Sequence, residues 1–282
     1  MDRVIVIVGP TASGKTALAV ELAKRIDGEV ISCDSMQIYR DMSIGTAKPS
    51  VEEMDGVPHY LIDFVSPDVR YSVADFKRDA EEKIRFVLDR GKVPILCGGT
   101  GLYVDSLVYG IDYPEIEFDQ GYRDELMAVA DSEDGLERLY EMAMKIDPDA
   151  VLKISRNDKK RITRVLELYR ATGKTKTELE RESRKNGVKY DYRIFAIDMD
   201  REKLYDRINK RVDLMIEQGL VDEVRDIVKK YDKFPTAMQG LGYKEVVEYF
   251  DKKLTMDEMI QKIKQETRRY AKRQLTWFRK NK

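Results

Sequence analysis

Short apolar runs alternate with helical patterns over roughly the first hundred residues of the chain. Each run is dominated by apolar side chains and ends at glycine or polar residues, which is typical of a buried strand. The predicted strands are residues 3–8, 29–33, 59–64 and 93–99. Residues 15–26 and 73–90 space their apolar side chains along one helix face. Strands separated by helices of this length predict right-handed βαβ units and a parallel sheet.

The pattern changes near residue 112. From there to about residue 186 the chain keeps helical spacing without a convincing strand, and a strand then returns at residues 192–199. A helical block between strands of one sheet predicts an inserted all-helical domain. We therefore expect a core domain whose first part is residues 1–111, a helical insertion at 112–186, and a second core part at 187–282.

A phosphate-binding motif directly follows the first predicted strand. Residues 9–16 read Gly-Pro-Thr-Ala-Ser-Gly-Lys-Thr and match G-x-x-x-x-G-K-[ST]. The glycines let successive N–H groups face one anion, and the helix that begins at Lys15 adds the positive end of its dipole. We expect Lys15 to reach a phosphate and the Thr16 hydroxyl to ligate Mg²⁺. The motif, with its strand and helix, predicts an α/β fold: a P-loop NTPase-like parallel sheet flanked by helices.

The motif alone does not identify the phosphate compound. A nucleotide-hydrolysing enzyme would hold Mg²⁺ with an aspartate at the end of an apolar strand, and Asp63 and Asp198 each fit that pattern loosely. Each could equally be a strand-end residue that bonds to the backbone. The same loop could grip any diphosphate.

Two further polar stretches follow predicted strands, where open α/β sheets bind their ligands. Asp34 ends the second strand and either caps the following turn or accepts a proton from a substrate as a general base. Thr100 lies in the glycine-rich stretch 98–101 after the fourth strand, where the glycines allow close approach of a ligand or of packed backbone.

Charge is unevenly distributed along the chain. The whole sequence has 51 Lys or Arg and 52 Asp or Glu, but residues 262–282 carry nine basic residues and one acid, a net charge of +8 that leaves −9 for the rest. This basic end belongs to a long helix that begins at a capping box formed by Thr255 and Glu258. A basic segment on an acidic body indicates a polyanionic partner. Tyr270, Trp277 and Phe278 within it are either core residues or base-stacking ones.

A second basic face lies in the predicted insertion. Lys160, Arg161 and Arg164 fall opposite an apolar helix face, where they form either a solvated surface or a phosphate contact.

The remaining composition excludes several classes of protein. Cys33 and Cys97 are too few for a disulfide framework or a zinc site, so we expect buried free thiols. We interpret His59, the single histidine, as structural. No secretory leader and no apolar run long enough to span a membrane is present, so we expect a cytoplasmic protein, and a monomer.

Taken together, these stretches resemble the tRNA dimethylallyltransferase family, also called tRNA isopentenyltransferases, over essentially the whole chain. The stretches that carry the resemblance are, in chain order, GPTASGKT (9–16), ISCDSMQIYRDMSIGTAKP (31–49), VPHYLID (57–63), YSVADF (71–76), GGTGLYV (98–104), KRITRVLELYRATGK (160–174) and QGLGYKE (239–245). The resemblance implies transfer of a dimethylallyl group from dimethylallyl diphosphate to the exocyclic amine of the adenine just 3′ of a tRNA anticodon, with Mg²⁺ as cofactor.

The resemblance also implies roles for individual residues. The diphosphate would be bound by Gly9, Pro10, Thr11, Ala12, Ser13, Gly14, Lys15 and Thr16, and Mg²⁺ by Thr16. The catalytic residues would be Asp34 as general base, Thr100, Lys15 and Arg211. The tRNA would be contacted by Asp34, Ser35, Met36, Gln37, Thr100, Arg123, Lys160, Arg161, Ile162, Thr163, Arg164, Gln239, Gly240, Leu241, Gly242, Tyr243 and Lys244.

Three other functions are compatible with parts of the pattern. A P-loop small-molecule kinase would share the phosphate loop but would not need the basic end. An adenylate isopentenyltransferase that acts on free AMP would not need the tRNA-binding stretches. A non-enzymatic RNA-binding module would leave the pairing of the phosphate loop with Asp34 unexplained.

Overall fold

The computed structural model describes residues 1–113, 119–183 and 187–280 and divides the chain into two compact units. The first unit comprises Met1–Val108 and Lys189–Lys282, and the second comprises Tyr109–Val188. The first of the expected boundaries, after residue 111, lies three residues from the observed one after Val108. The other expected boundary, at residue 186, falls outside the described residues, as does Lys282 of the basic end.

The first unit contains a five-stranded parallel sheet in the order β3-β2-β4-β1-β5. Its strands are β1 (Arg3–Val8), β2 (Gly28–Ser32), β3 (His59–Tyr60), β4 (Val93–Gly98) and β5 (Asp191–Ala196). In register, Ile5 of the internal strand β1 pairs with Ile95 of β4 on one side and Arg193 of β5 on the other. The parallel sheet that the sequence predicts is therefore confirmed.

Helices connect the strands of the first unit and make up the second. Those of the first unit are α1 (Lys15–Ile26), α2 (Val51–Met54), α3 (Val73–Asp89), α4 (Gly101–Val108), α10 (Arg201–Glu217), α11 (Leu220–Lys230), α12 (Tyr243–Phe250) and α13 (Met256–Arg279). Those of the second unit are α5 (Gln120–Asp131), α6 (Gly135–Ile146), α7 (Pro148–Val151), α8 (Lys159–Thr172) and α9 (Lys176–Ser183). The described part of the second unit contains helices and no strand.

The sheet is covered by helices on both faces, which explains the continuous apolar strands. Side chains of β1 alternate: Val6 packs in one cluster with Phe76 of α3, whereas Ile7 packs in another with Ala19 of α1. The Phe76 ring stacks on Tyr103 at a centroid distance of 4.0 Å. These two cores hold the carboxyl ends of β1, β2 and β4 at one edge of the sheet, where the loops that follow them meet.

Two predicted strands are shorter in the structure. The strand expected at 59–64 is only two residues long, because Leu61 and Asp63 both adopt a left-handed backbone with φ of 59°. The chain turns there, and Phe64 donates its N–H to Ile38 O at 2.9 Å instead of continuing the sheet. The strand expected at 192–199 ends at Ala196.

The second unit has its own apolar core. Leu139, Val151, Ile162 and Leu166 are buried together, which follows the helical spacing of the sequence. Asp158 caps α8 by accepting the N–H of Arg161 at 3.1 Å. Within the described ranges, no helix combines the length and the apolar character that a bilayer-spanning segment requires.

Candidate active site

The phosphate loop forms a tight turn between β1 and α1. Gly14, at φ 91°, lies directly before the first helical residue, and Ala12 also has a left-handed backbone at φ 63°. The Lys15 ammonium donates to Pro10 O at 2.7 Å. The Ser13 hydroxyl is buried and has no hydrogen-bond partner among the described residues. A buried donor without a partner is costly, so this hydroxyl fits a site that receives a polar ligand.

Asp34 and Arg211 both lie close enough to Lys15 to act on its charge. Burial is the main cause that lowers the pKa of Lys15, and the Arg211 guanidinium lowers it further, whereas Cys97 and Asp34 act to raise it. Three of the predicted catalytic residues, which lie on α1, after β2 and on α10, thus come together in the fold.

A further cation, Arg207, borders the phosphate loop and was missed by the sequence analysis. A Cβ atom built on Gly14 would lie 3.6 Å from Nη2 of Arg207. Burial lowers the pKa of Arg211, and Arg207 adds to that effect. The signal was present in the sequence, because Arg207 precedes Arg211 by one helical turn and therefore shares its face of α10.

Asp34 caps a turn with one oxygen and leaves the other available. Its Oδ1 accepts the N–H groups of Met36 at 2.8 Å and Gln37 at 3.2 Å. Its Oδ2 accepts no hydrogen bond from the part of the chain that the structure describes. The next residue, Ser35, donates its N–H to Thr100 Oγ1 at 3.1 Å, which joins Thr100 to the Asp34 turn. The capping interpretation is thus confirmed for Oδ1, while Oδ2 remains able to accept a proton.

The glycines before Thr100 are closely packed against other parts of the protein. A Cβ atom on Gly98 would lie 2.3 Å from Cys33 O, and one on Gly99 would lie 2.2 Å from Nε2 of Gln274. Of the two uses that the sequence left open for this stretch, close approach of packed backbone is found at Gly98, whereas Gly99 makes room for a side chain.

The cysteines and the histidine have the structural character that was expected. Cys33 and Cys97 are buried free thiols, and burial raises the pKa of Cys97 to about 11. His59 is half-buried, with its Nδ1 2.9 Å from Val57 O.

The two strand-end aspartates that could have held Mg²⁺ are engaged elsewhere. Asp63 accepts a hydrogen bond from Lys48, and Asp198 forms an exposed ion pair with Arg279 at 3.1 Å. No group of three or more His, Cys, Asp or Glu side chains within residues 1–113, 119–183 and 187–280 could hold a metal ion.

Two stretches predicted to contact tRNA lie side by side in the first unit. A Cβ atom on Gly240 would lie 2.9 Å from the Met36 sulfur, and one on Gly45 would lie 2.5 Å from the Tyr243 ring. The stretches 34–37 and 239–244 therefore adjoin. Tyr243 is fully buried and serves as packing in this arrangement.

Gln37 connects the Asp34 turn to the loop that follows it. Its Nε2 donates to Thr46 O at 3.3 Å and to Ala47 O at 3.1 Å, and its Oε1 lies 3.4 Å from the Ser32 hydroxyl. Both ends of this side chain are thus occupied within the protein.

The basic residues predicted in the second unit are paired with acids to different degrees. Arg123 makes two hydrogen bonds to the buried Glu167, of 2.5 Å and 2.8 Å, and Arg164 approaches the same carboxylate at 3.3 Å. Arg161 pairs with Asp158 at 3.3 Å on the surface.

The other two predicted contacts of that stretch, Ile162 and Thr163, are buried, with 0% and 1% exposure. Their side chains therefore support α8 and present no surface to RNA in this structure.

Comparison with known proteins identifies relatives over the full length. The family model described as IPP transferase matches residues 37–281. The tRNA dimethylallyltransferase of Acetivibrio thermocellus is 53% identical over 281 residues, which cover 99% of this chain and 90% of that protein. The tRNA dimethylallyltransferase of Carboxydothermus hydrogenoformans is 49% identical, with 99% and 90% covered.

Solved structures of similar proteins have the same fold. The tRNA isopentenylpyrophosphate transferase of Bacillus halodurans matches with a TM-score of 0.73 and 45% identity, over 100% of this chain and 88% of that one. A eukaryotic dimethylallyltransferase acting on tRNA matches with a TM-score of 0.81 and 33% identity, over 98% of this chain and 70% of that one. The P-loop NTPase-like fold predicted from the sequence is confirmed.

Proposed function

We propose that this chain, which belongs to the IPP transferase family, transfers a dimethylallyl group from dimethylallyl diphosphate to tRNA. The acceptor in this proposal is the exocyclic amine of the adenine just 3′ of the anticodon. The observation that carries the proposal is that the phosphate loop and the Asp34 turn directly follow β1 and β2 of one parallel sheet, so that Lys15 and Asp34 lie at the same edge of it. A diphosphate site beside a proton acceptor is what prenyl transfer to an amine requires.

The donor's diphosphate would lie in the phosphate loop. Lys15, Arg207 and Arg211 bring three positive charges to this loop, and each would be stabilised by a bound polyanion. The buried Ser13 hydroxyl would gain the partner that it lacks among the described residues. Neutralising the charge of the diphosphate makes it a better leaving group.

Mg²⁺ fits the residues around the loop. Mg²⁺ is usually held by one or two protein ligands together with phosphate oxygens and water, so no large carboxylate cluster is needed. The Thr16 hydroxyl, next to Lys15 in the first turn of α1, would be its protein ligand. When bound, Mg²⁺ would add positive charge at the diphosphate.

Asp34 would act as the general base. In the reaction the carbon–oxygen bond of the donor breaks, a carbon–nitrogen bond to the amine forms, and diphosphate leaves with the bonding electrons. One amine proton passes to Oδ2 of Asp34, while Oδ1 stays bonded to the N–H groups of Met36 and Gln37. Thr100 would fix the Asp34 turn through its bond to Ser35. The target adenine must leave its stack to reach this site, so we expect base flipping.

The tRNA would be held by surfaces of both units. In the first unit these are the adjoining stretches 34–37 and 239–244 together with the basic face of α13, and in the second unit Lys160, Arg161 and Arg164 of α8. Lys and Arg side chains on such surfaces bind RNA phosphates without reading sequence.

A transfer assay tests the proposal. Purified protein is incubated with Mg²⁺, labelled dimethylallyl diphosphate and an unmodified tRNA that carries A directly after its anticodon. We expect label in the tRNA, and Asp34→Asn should slow transfer about 100-fold or more while tRNA affinity stays within twofold. Asp198→Asn is the matched control, since Asp198 is also a strand-end aspartate but is 80% exposed and paired with Arg279.

Parallel reactions distinguish the alternatives. A small-molecule kinase would transfer the γ-phosphate of labelled ATP, and an adenylate isopentenyltransferase would label free AMP in preference to tRNA. Either result, or full activity in Asp34→Asn, would overturn the proposal.

A further inference from the structure

Gln274 connects the phosphate loop to the loop that carries Thr100. This side chain of α13 is buried, and its Oε1 accepts the Thr11 N–H at 2.8 Å while its Nε2 donates to Gly99 O at 2.9 Å. A single amide group is thus fully engaged between two loops that follow different strands, β1 and β4. Neither contact follows from a local pattern, because the two partners lie far from Gln274 in the sequence.

Neighbouring residues on the same face of α13 lie against this loop and against α4, the helix that follows it. Tyr270 lies one turn before Gln274 and near the Thr100 side chain, and burial raises its pKa to about 12. Trp277 follows at the next turn and donates its indole N–H to Asp105 at 3.0 Å.

The glycines of this loop make the contact with α13 possible. A Cβ atom on Gly99 would lie 2.2 Å from Nε2 of Gln274, and one on Gly101 would lie 2.4 Å from Cδ1 of Trp277. The stretch Gly99-Thr100-Gly101 is therefore shaped to receive the side chains of α13, and Thr100 lies between the two points of contact.

We propose that Gln274 is a positioning residue for prenyl transfer, which fixes the phosphate loop relative to the loop of Thr100. The inference rests on the proposed function. The phosphate loop would determine the position of the diphosphate leaving group. Thr100 determines the position of the Asp34 turn, because its hydroxyl accepts the Ser35 N–H. A displacement of one loop against the other by about 1 Å would misalign the donor carbon and the amine and lower the rate by about 100-fold.

Only a side chain with both a donor and an acceptor at this reach can make both bonds. Gln274→Met keeps the length of the side chain and loses both bonds. Gln274→Glu keeps the acceptor for the Thr11 N–H but, as a carboxylate, cannot donate to Gly99 O. The two variants thus separate the contributions of the two bonds.

Two measurements test the inference, and only one depends on activity. Amide hydrogen exchange at Thr11, followed by NMR, reports its bond to Gln274, and we expect exchange at least about tenfold faster in Gln274→Met. Steady-state kinetics of prenyl transfer should show kcat lowered by about 10-fold to 100-fold in Gln274→Met, with the Kd for tRNA within twofold of wild type. Gln274→Glu should keep Thr11 protected and still lose turnover.

Gln265→Met is the matched control, because Gln265 lies exposed on the same helix. In Gln265→Met, both the exchange rate of the Thr11 amide and kcat should equal those of the wild type. Unchanged Thr11 exchange in Gln274→Met, or a kcat within twofold of wild type in both Gln274 variants, would overturn the inference. If the wild type transfers no prenyl group at all, the proposed function fails, while the exchange measurement still decides whether Gln274 holds the phosphate loop.

Discussion

The hydroxyl of Tyr243 on α12 donates to the Glu223 carboxylate on α11 at 2.6 Å. The same carboxylate accepts the N–H groups of Ser43, Ile44 and Gly45 at 2.9, 2.7 and 3.1 Å. One acid therefore anchors the loop that follows the Asp34 turn to two helices near the other end of the chain. This loop has little regular structure of its own, so its position depends on Glu223.

Removing this anchor should destabilise the first unit. Glu223→Ala leaves three backbone N–H groups and the Tyr243 hydroxyl without their acceptor, and we expect a loss of about 2 kcal/mol in the free energy of unfolding. Urea unfolding followed by circular dichroism measures this loss. Asp222→Ala, next to it on α11, removes an exposed carboxylate that pairs with Arg225 on the surface and should change stability by less than about 0.5 kcal/mol. Equal losses in the two variants would contradict the anchoring role.

Arg207 should bind the donor. Arg207→Ala removes a charged donor from beside the phosphate loop, and we expect KM for dimethylallyl diphosphate to rise about tenfold, as for the loss of one charge-assisted hydrogen bond. Lys210→Ala is the control, because Lys210 lies on the same helix and pairs with Asp206 at 2.8 Å. A donor KM that stays at the wild-type value in Arg207→Ala would exclude Arg207 from the site.

Arg123 and Arg161 should differ in their contribution to the stability of the second unit, although both were predicted to contact tRNA. Arg123→Ala leaves the buried Glu167 with the longer contact to Arg164, so we expect the second unit to lose about 2 kcal/mol of stability. Arg161→Ala breaks a surface ion pair with Asp158 and should cost less than about 0.5 kcal/mol. Hydrogen exchange of α8 amides measures both effects.

The RNA contact itself is measured by the salt dependence of tRNA binding. Arg161→Ala should weaken binding and reduce the slope of log K against log salt concentration by about 1. A slope equal to that of the wild type would contradict the proposal that α8 belongs to the tRNA-binding surface.

His59 should make the protein less stable in acid. Burial lowers its pKa in the folded state, although the hydrogen bond with Val57 O acts in the opposite direction. The unfolded chain, with a histidine pKa of about 6.5, then binds more protons than the folded protein just below that pH, so stability falls as the pH decreases. His59→Asn retains an N–H donor and does not titrate. The free energy of unfolding should therefore drop more in the wild type than in His59→Asn between pH 7.5 and 5.5, and equal drops would contradict the assignment.

The parallel sheet and most of its helices could be predicted because their signals are local. Helix α1 begins and ends at the predicted residues 15 and 26, since the phosphate loop and the apolar spacing determine it. The strand predicted at 59–64 was predicted too long: it is present at His59–Tyr60 and ends there because Leu61 and Asp63 take up left-handed conformations and the chain turns. Apolar character indicates burial and does not by itself distinguish a strand from a buried turn.

The sequence analysis predicted the residues at the centre of the site but not the neighbouring residues that hold them in place or add charge to it. Lys15 belongs to a recognisable motif, and Asp34 and Thr100 follow strands of one parallel sheet, so the fold brings their loops to the same edge. Gln274 and Arg207 belong to no recognisable motif, so the sequence marked them less clearly as site residues. Gln274 bonds to residues on two distant loops, and only the packing of α13 against the glycines brings it there.

The most direct test of the proposed chemistry is to identify the modified nucleoside. After incubation with dimethylallyl diphosphate, the tRNA is digested to nucleosides and to defined fragments, and both are analysed by mass spectrometry. We expect a single adenosine that carries one C5H8 unit on its exocyclic nitrogen, located directly 3′ of the anticodon and formed about 100-fold more slowly with Asp34→Asn. A tRNA that remains unmodified, or a C5H8 unit on another nucleoside or another atom, would contradict the assignment of the phosphate loop and Asp34 to prenyl transfer.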